Sequence, residues 1–320
     1  MSLLEVKNLT VEYRLREKTI KAVNDVSFDL ERGDALGVVG ESGCGKTSLA
    51  LALTSLLPAN GRISYGTISL DGLNLRELEE RELRNIRWKK ISMIFQSAMN
   101  SLDPLYKVGD FLMEALGSDQ KGSKSGGMKR IEELFKLVGL SYETVDRYPH
   151  ELSGGMKQRV VIAMSLLHNP DLVIADEPTT ALDVIVQDQI LRKIRELQKK
   201  FQIALILISH DISTVVETCD KMAVMYAGEI VELGSVESIF EETYHPYTKA
   251  LLKSVLSIRG PLKELATLPG HPPDLVHPMS GCAFAPRCKH ARDSCRIGNE
   301  LLSEVSKNHF SRCQLMMPQD

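Results

Sequence analysis

Residues 40–47 read Gly-Glu-Ser-Gly-Cys-Gly-Lys-Thr and match the phosphate-loop spacing G-x-x-x-x-G-K-[ST] in full. The loop follows an apolar run at 34–39, which predicts a buried strand, and precedes a predicted helix at 47–57. Its glycines allow backbone N–H groups to face phosphate oxygens, and the helix start adds a positive dipole. The pattern therefore predicts that Lys46 bridges the β- and γ-phosphates of a nucleotide and that Thr47 binds Mg²⁺.

Two acids end a second apolar run, at 172–176, that is too hydrophobic to be exposed. Asp176 suits a water-mediated contact with Mg²⁺. Glu177 faces the opposite side of the strand end and suits polarising an attacking water. The alternative is a pair of helix-capping acids, and Pro178 directly after them weakens it.

Three further candidates are judged by their positions near predicted strands. His210 follows the strand at 203–208 and could donate a hydrogen bond to the γ-phosphate. Gln96 follows the strand at 92–95 and could face Mg²⁺ or the attacking water. Tyr13 follows the first strand and could stack on adenine, although an ordinary sheet aromatic fits nearly as well.

The segment 152–159, Leu-Ser-Gly-Gly-Met-Lys-Gln-Arg, precedes the acidic strand by about twenty residues. Ser153 is a good N-cap residue, so an ordinary well-capped helix explains part of this segment. Two consecutive glycines, Gly154 and Gly155, are costly there and leave N–H groups free at a helix start, which makes an anion site. A second phosphate-binding element predicts a dimer in which each chain contacts its neighbour's nucleotide.

The rest of the chain indicates a mixed architecture. Alternating strands at 3–12 and 23–30 lead into strands that alternate with helices, which predicts a mostly parallel sheet. Residues 98–150 are predicted to be mostly helical, with a mobile polar loop at 118–127. From about residue 243, prolines, histidines and cysteines become frequent, so we expect a separate carboxy-terminal extension there.

Composition excludes several classes of protein. The 320 residues carry a net charge of −3, and this lack of a basic excess argues against a nucleic-acid partner. No apolar run approaches the roughly 20 residues that span a bilayer, and residues 1–7 show no signal pattern. We therefore expect a soluble intracellular protein whose membrane role, if it has one, comes through a partner.

The order of these motifs, with Ala181-Leu182-Asp183 between the acids and His210, resembles the nucleotide-binding subunit of ATP-binding cassette (ABC) transporters over residues 1 to about 240. The resemblance implies an α/β P-loop NTPase fold with an antiparallel β arm. It also implies an ATPase domain at 1–242, with an inserted helical subdomain at about 97–165, and an extension at 243–320.

The resemblance also implies roles for individual residues. Catalysis is assigned to Glu177 as the base, His210 as a γ-phosphate switch, Gln96 and Lys46. The chain's own ATP and Mg²⁺ are expected at Tyr13, Gly40, Glu41, Ser42, Gly43, Cys44 (a small filler, not a nucleophile), Gly45, Lys46, Thr47, Ser48, Gln96 and Asp176, with Mg²⁺ on Thr47, Gln96 and Asp176. The partner's ATP is expected at Ser153, Gly154, Gly155 and Gln158, with Asp183 carrying cross-talk between the sites.

A narrower resemblance extends over nearly the whole chain. Residues 95–104, the HPYT sequence at 245–248, PGHPP at 269–273 and GCAFAPRC at 281–288 are similar to the dipeptide/oligopeptide importer ATPases, a subfamily that also handles nickel and some oligosaccharides. It implies a peripheral motor on the cytoplasmic face, docked to two membrane permease subunits near 96–106. A second ATPase subunit and an extracytoplasmic substrate-binding protein are the other implied partners.

Four of the six cysteines, Cys282, Cys288, Cys295 and Cys313, fall in the extension with the spacing C-x₅-C-x₆-C-x₁₇-C. This differs from the C-x₂-C pairs of common zinc ribbons and bacterial ferredoxins. Four thiolates suit a 4Fe–4S cluster or tetrahedral Zn²⁺. Some members of the importer subfamily carry such a cluster, so a structural 4Fe–4S centre is favoured, with zinc or free thiols as alternatives.

Two other functions agree less well with the sequence than transport does. A soluble ABC ATPase acting on DNA or ribosomes usually carries two cassettes, long coiled coils or basic arms, and the sequence shows none of these. A P-loop kinase or GTPase needs neither the LSGG segment nor a glutamate directly after the Walker aspartate. A transport ATPase is therefore the predicted function.

Overall fold

The computed structural model describes residues 2–16, 18–117, 124–180, 182–259, 270–276, 280–298 and 300–313. Part of the predicted loop at 118–127, Ala181 and the first residue of the PGHPP segment lie outside these ranges. Within them, no helix combines the length and hydropathy that crossing a membrane requires.

The described residues form twelve strands and ten α-helices. The strands are β1 (Leu4–Leu15), β2 (Lys18–Leu30), β3 (Ala35–Val39), β4 (Gly61–Leu70), β5 (Leu73–Asn74), β6 (Ile91–Ile94), β7 (Leu172–Asp176), β8 (Ala204–Ser209), β9 (Lys221–Tyr226), β10 (Glu229–Ser235), β11 (Ser303–Ser306) and β12 (His309–Ser311). The helices are α1 (Lys46–Leu53), α2 (Glu80–Ile86), α3 (Val108–Leu116), α4 (Lys124–Val138), α5 (Gly154–Ser165), α6 (Val184–Phe201), α7 (Ile212–Thr218), α8 (Val236–Glu241), α9 (Pro246–Arg259) and α10 (Ser294–Ile297).

The chain divides into two compact units. The first comprises Met1–Glu77 and Leu207–Asp320, and the second comprises Leu78–Ile206. The phosphate loop, His210 and the carboxy-terminal extension belong to the first unit. Gln96, Asp176, Glu177 and the LSGG segment belong to the second.

The first unit contains an antiparallel sheet with strand order β2-β1-β4-β5. Apolar residues on β1 pair with apolar residues on both neighbours: Val6 lies opposite Phe28 on β2 and Ile68 on β4. This is the antiparallel arm that the family resemblance implied. In the same unit β3 pairs in parallel with β9, and β9, β10, β12 and β11 follow one another as antiparallel neighbours.

The second unit places β6 parallel to β7, with Ile94 opposite Ala175. All five residues of β7 are buried, as its continuous apolar sequence predicts. Helices α3, α4 and α5 lie within the predicted helical subdomain at about 97–165, whose bounds stay a prediction. Short 3₁₀ helices lie beside them at 98–101, 142–146 and 149–151, so the described residues of 98–150 are mostly helical, as predicted.

Several element boundaries differ from those predicted. The helix expected at 47–57 ends at Leu53, because the Thr54 hydroxyl donates to the Ala50 carbonyl at 3.0 Å and Ser55 turns the chain with φ of 53°. The first strand runs to Leu15 rather than ending near residue 12, so Tyr13 lies inside β1. Of the loop expected at 118–127, residues 124–127 begin α4 instead.

The described residues of 275–320 contribute buried apolar side chains, although no hydrophobic core is evident in the sequence there. Ala283, Phe284 and Ala285 are buried, and Phe310 on β12 pairs with Leu233 on β10. Sequence reasoning missed this because the buried residues sit in short, proline-containing turns without periodicity. The domain boundary at 242/243 stays a prediction.

Candidate nucleotide-binding site

The phosphate loop has the predicted strand–loop–helix form, with buried β3 before it and α1 after it. Two of its glycines are required by close approach of backbone. A Cβ at Gly40 would lie 2.2 Å from the Met225 carbonyl oxygen, and a Cβ at Gly45 would lie 2.1 Å from that of Ala22. Larger residues would therefore displace the loop from the strands that hold it.

Lys46 lies at the centre of this loop and is only 7% exposed. Its Nζ donates to the Gly40 carbonyl at 2.7 Å and to the Glu41 carbonyl at 3.0 Å. The ammonium is thus placed inside the loop by its own backbone. Burial raises the pKa of the Cys44 thiol more than neighbouring Lys46 lowers it, which agrees with the interpretation of Cys44 as a filler.

Thr47 and Ser48 occupy the first turn of α1, where Thr47 is exposed and Ser48 half-buried. Their hydroxyls therefore lie at the helix start, where an anion and its counter-ion are favoured. Their contacts with a nucleotide and Mg²⁺ stay predictions.

Gln96 and Glu177 are brought together in the second unit by the parallel pairing of β6 and β7. The Gln96 Nε2 donates to the Glu177 Oε2 at 3.0 Å, and the Thr180 hydroxyl donates to the same oxygen at 3.1 Å. Glu177 adopts φ of 46°, which is uncommon for a non-glycine residue and turns the chain after buried Asp176. One carboxylate is therefore fixed in orientation at the end of an otherwise apolar strand.

The LSGG segment begins α5 as predicted. Ser153 is the N-cap, and its hydroxyl accepts from the Met156 N–H at 3.3 Å. Gly155 also has a packing role that the sequence did not indicate, since a Cβ there would lie 2.7 Å from Cγ1 of Val186 on α6. The segment therefore combines a helix start with a close contact between helices.

The other two residues assigned to the dimer contact have structural surroundings of their own. Gln158 is only 2% exposed, so its predicted contact with a partner's ATP would require it to become accessible. Asp183 is the N-cap of α6, with Oδ1 accepting from the Val186 N–H at 3.0 Å. Both assignments stay predictions.

His210 and Tyr13 lie in the first unit. His210 directly follows β8, as predicted, and is exposed. Tyr13 pairs with Ile20 and Gly61, and a Cβ at Gly61 would lie 2.8 Å from the tyrosine Cε1. This close cross-strand contact favours the sheet-aromatic interpretation, and adenine stacking stays a prediction.

Comparison with known proteins decides between the families that these motifs allow. The ABC transporter family model matches residues 23–180, and a model of the oligopeptide/dipeptide transporter C-terminal region matches residues 231–295. The oligopeptide transport ATP-binding protein OppD of Bacillus subtilis is 44% identical over 99% of this chain and 89% of its own length. The dipeptide transport ATP-binding protein DppD of Lactococcus lactis is 45% identical over 98% and 91%. The chain belongs to the ATP-binding subunits of oligopeptide/dipeptide ABC transporters.

Solved structures agree with the predicted α/β fold of the ABC nucleotide-binding domain. The ATP-binding cassette MJ0796, solved as a dimer bound to ADP and Pi, covers 73% of this chain and 98% of its own at 28% identity and a TM-score of 0.65. CbiO1 of Clostridium perfringens covers 81% and 95% at 26% identity, with a TM-score of 0.67.

The most important contacts that sequence reasoning missed link this ABC subunit's extension to its phosphate loop. The Tyr247 hydroxyl accepts from the Glu41 N–H at 3.0 Å, and the Arg287 guanidinium donates to both Glu41 carboxylate oxygens. The HPYT and APRC sequences contain no local pattern that indicates a chemical role. Only the folded chain brings residues more than 200 positions apart into contact.

The four cysteines of the extension are half-buried. The Cys282 N–H donates to the Cys295 carbonyl at 2.8 Å, and burial raises the pKa of the Cys282 and Cys288 thiols. No group of three or more His, Cys, Asp or Glu side chains in the described part of the chain has an arrangement that could hold a metal ion. The residues as placed therefore do not fit a bound iron–sulfur cluster or zinc ion.

Proposed function

We propose that this chain is the ATP-hydrolysing subunit of an importer that carries dipeptides or oligopeptides across the cytoplasmic membrane. The observation that carries the proposal is the similarity over nearly the whole chain, extension included, to peptide-transport ATP-binding proteins. A soluble ABC ATPase acting on DNA or ribosomes would not require that extension. The runner-up is the same type of importer with nickel or an oligosaccharide as cargo.

In the proposed reaction, Lys46 and the loop N–H groups hold the phosphates, and His210 donates to the γ-phosphate. Glu177, oriented by Gln96 and Thr180, polarises the water that attacks the γ-phosphorus, and ADP and phosphate leave. Thr47, Gln96 and Asp176 supply the oxygen donors that Mg²⁺ prefers, so the donor set fits that ion. Bound Mg²⁺ would neutralise charge on the phosphates.

The working unit is proposed to be a head-to-tail dimer with a second copy or a related ATPase subunit. Ser153 and Gly154 at the start of α5 would bind the γ-phosphate of ATP held by the partner. The dimer of the ATP-binding cassette MJ0796, bound to ADP and Pi, supports this arrangement by analogy. Each of the two ATP molecules would then lie between the phosphate loop of one subunit and the LSGG segment of the other.

A groove in the second unit is suited to contact with one of the two permease subunits. It has a volume of about 520 Å³ and includes the exposed aromatic side chains Trp88, Phe95 and Tyr106. Exposed aromatics around an apolar cleft favour an amphipathic helix as the occupant. We propose that a cytoplasmic helix of a permease lies there, which keeps the chain peripheral on the inner face of the membrane.

Affinity purification from membranes tests the transporter proposal. The tagged wild-type chain should recover polytopic permeases, and Phe95→Ala combined with Tyr106→Ala should lose them. Tyr65→Ala is the matched control, since Tyr65 is an exposed aromatic outside the groove. Recovery of ribosomes or DNA instead would overturn the proposal.

Uptake assays test the cargo, which depends on an extracytoplasmic binding protein. Cells with a Lys46→Ala chain should lose uptake of a radiolabelled tripeptide and keep uptake of nickel and oligosaccharides. Loss of nickel or oligosaccharide uptake with peptide uptake intact would favour the runner-up.

The 4Fe–4S cluster stays a separate prediction, with zinc as its alternative. Because the described residues form no ready metal site, a cluster would have to draw Cys282, Cys288, Cys295 and Cys313 together. Anaerobically purified protein should then contain iron and acid-labile sulfide, and replacing Cys295 by serine should remove both. Stoichiometric zinc, or no metal, would contradict the iron–sulfur prediction.

A further inference from the structure

Arg287 of the extension forms a two-point ion pair with Glu41, the second residue of the phosphate loop. Its Nη1 lies 2.7 Å from Glu41 Oε2 and its Nη2 lies 3.0 Å from Oε1. The Arg287 side chain is 6% exposed and that of Glu41 24%. A paired, largely desolvated guanidinium–carboxylate contact of this geometry is stronger and more directional than a surface ion pair.

The orientation of Arg287 is set by aromatic side chains of the same unit. The guanidinium carbon lies 5.8 Å from the ring centroid of Tyr226, and Nη1 donates to the Tyr226 hydroxyl at 3.3 Å. Phe284, three residues before Arg287, packs edge-on against Tyr226 with centroids 5.3 Å apart. The turn that carries Arg287 is therefore anchored by its own buried phenylalanine.

Glu41 is also held through its backbone. Its N–H donates to Tyr247 in the HPYT sequence at 3.0 Å, and its carbonyl accepts from the Lys46 Nζ at 3.0 Å. The extension thus contacts both the side chain and the backbone of Glu41, whose carbonyl contacts Lys46. A shift of Glu41 would change the position of the Lys46 ammonium as well.

We propose that Arg287 is a positioning residue for ATP: it neutralises the Glu41 carboxylate and fixes the loop, so that the extension forms part of the nucleotide site. The physical reason is that a bare carboxylate in a loop that receives a polyanion repels it, and low solvent exposure strengthens the repulsion. The inference rests on the nucleotide binding of the proposed function and deepens it.

A double-mutant cycle in the isolated full chain tests this inference, with ATP affinity measured by calorimetry. Arg287→Ala should weaken ATP binding about tenfold or more, because it leaves the Glu41 charge uncompensated. Adding Glu41→Gln to the Arg287→Ala variant removes that charge and should restore ATP affinity to within about threefold of the wild type. Arg292→Ala, which removes an exposed arginine of the same extension, is the matched control and should bind ATP as the wild type does.

Two readouts separate this role from a loss of packing. The weakening in Arg287→Ala should be larger for ATP than for AMP and should shrink at high salt, because it is electrostatic. A packing defect would weaken both nucleotides alike, would not respond to Glu41→Gln, and would overturn the inference. If Arg287→Ala is unfolded at the assay temperature, Arg287→Gln takes its place in the cycle with the same criteria, since glutamine removes the charge and keeps a longer polar side chain.

The outcomes also distinguish this inference from the proposed function. Wild-type protein that binds no ATP, or binds as weakly as Lys46→Ala, would refute the proposed function. Wild-type protein that binds ATP while folded Arg287→Ala binds it within twofold would refute the role of Arg287 alone.

Discussion

The Gln96 amide donates a 3.0 Å hydrogen bond to the carboxylate of Glu177 across the ends of two parallel strands. Glu177 receives a second bond from Thr180 at 3.1 Å. Both donors bond the same carboxylate oxygen, so the other oxygen is set in direction without carrying either of these bonds. A general base requires such a fixed orientation of its carboxylate.

Replacing Glu177 with glutamine tests its role as the base. Glu177→Gln should lower ATP hydrolysis by roughly 100-fold to 10,000-fold, because the amide cannot take a proton from water. ATP binding should stay close to that of the wild type, since the phosphates are held by the loop around Lys46. Phosphate release and ATP affinity measure the two effects, and Glu237→Gln, at an exposed position of α8, is the control. Substantial hydrolysis by Glu177→Gln would assign the base elsewhere.

Ser153→Arg tests the dimer contact. The arginine should abolish ATP-driven dimer closure by steric obstruction, while ATP binding at the chain's own phosphate loop stays largely intact. Ser153→Ala is the smaller change: it removes the N-cap bond to Met156, worth about 1 kcal/mol, and the proposed contact with the partner's γ-phosphate, so it should weaken closure without abolishing it. Light scattering with ATP in a Glu177→Gln background measures closure. Loss of ATP binding by monomeric Ser153→Arg would contradict the assignment of this segment to the partner's nucleotide.

The sequence predicted those parts of the molecule in which function depends on local spacing. The loop at 40–47 and the ends of β6 and β7 were predicted because apolar runs end directly at polar residues. The pairing of parallel strands then brings Gln96 and Glu177 to one edge. The hydrogen bond between them was not predicted, since a lone glutamine at a strand end is weak evidence.

The contacts of the extension could not be predicted for a physical reason. Arg287 and Glu41 are 246 positions apart, and neither occurs in a periodic segment that would suggest a partner. Strand β4 was missed as well, because its alternation of apolar and polar residues changes phase at Gly66, from Ile63 and Tyr65 before it to Ile68 and Leu70 after it. In both cases tertiary packing, not local pattern, determines the structure.

Gly155→Ala tests the packing role of that glycine. The added Cβ would lie 2.7 Å from Val186 Cγ1, so the free energy of unfolding should fall by about 1–3 kcal/mol through overpacking. Val186→Ala removes the opposing methyl groups and should recover part of that loss in the double variant. Urea denaturation measures both. Gly154→Ala is the control, because its Cβ would meet its nearest neighbour at 3.3 Å and should cost less. Unchanged stability in Gly155→Ala would leave anion binding as the reason for this glycine.

The HPYT histidine gives the first unit a dependence on pH. His245 is buried, and burial lowers its pKa from 6.5 to about 3, with Arg312 adding to the shift. Its Nδ1 accepts a hydrogen bond from the Tyr247 N–H at 3.1 Å, which only the neutral ring can do. Native His245 is therefore neutral above about pH 3.

The sign of the effect follows from proton linkage. Below pH 6.5 the unfolded chain binds a proton at His245 that the native chain does not. The free energy of unfolding therefore decreases by about 1.4 kcal/mol for each unit by which the pH is lowered, down to about pH 3. His245→Asn keeps an acceptor without a titrating ring. Between pH 7.5 and pH 5.5 the wild type should therefore lose about 1.4 kcal/mol more than His245→Asn in urea denaturation. His290→Asn, at an exposed histidine of the extension, should lose as much as the wild type. Equal losses in His245→Asn and the wild type would mean that His245 is protonated in the native state, and that its bond to Tyr247 does not form as described.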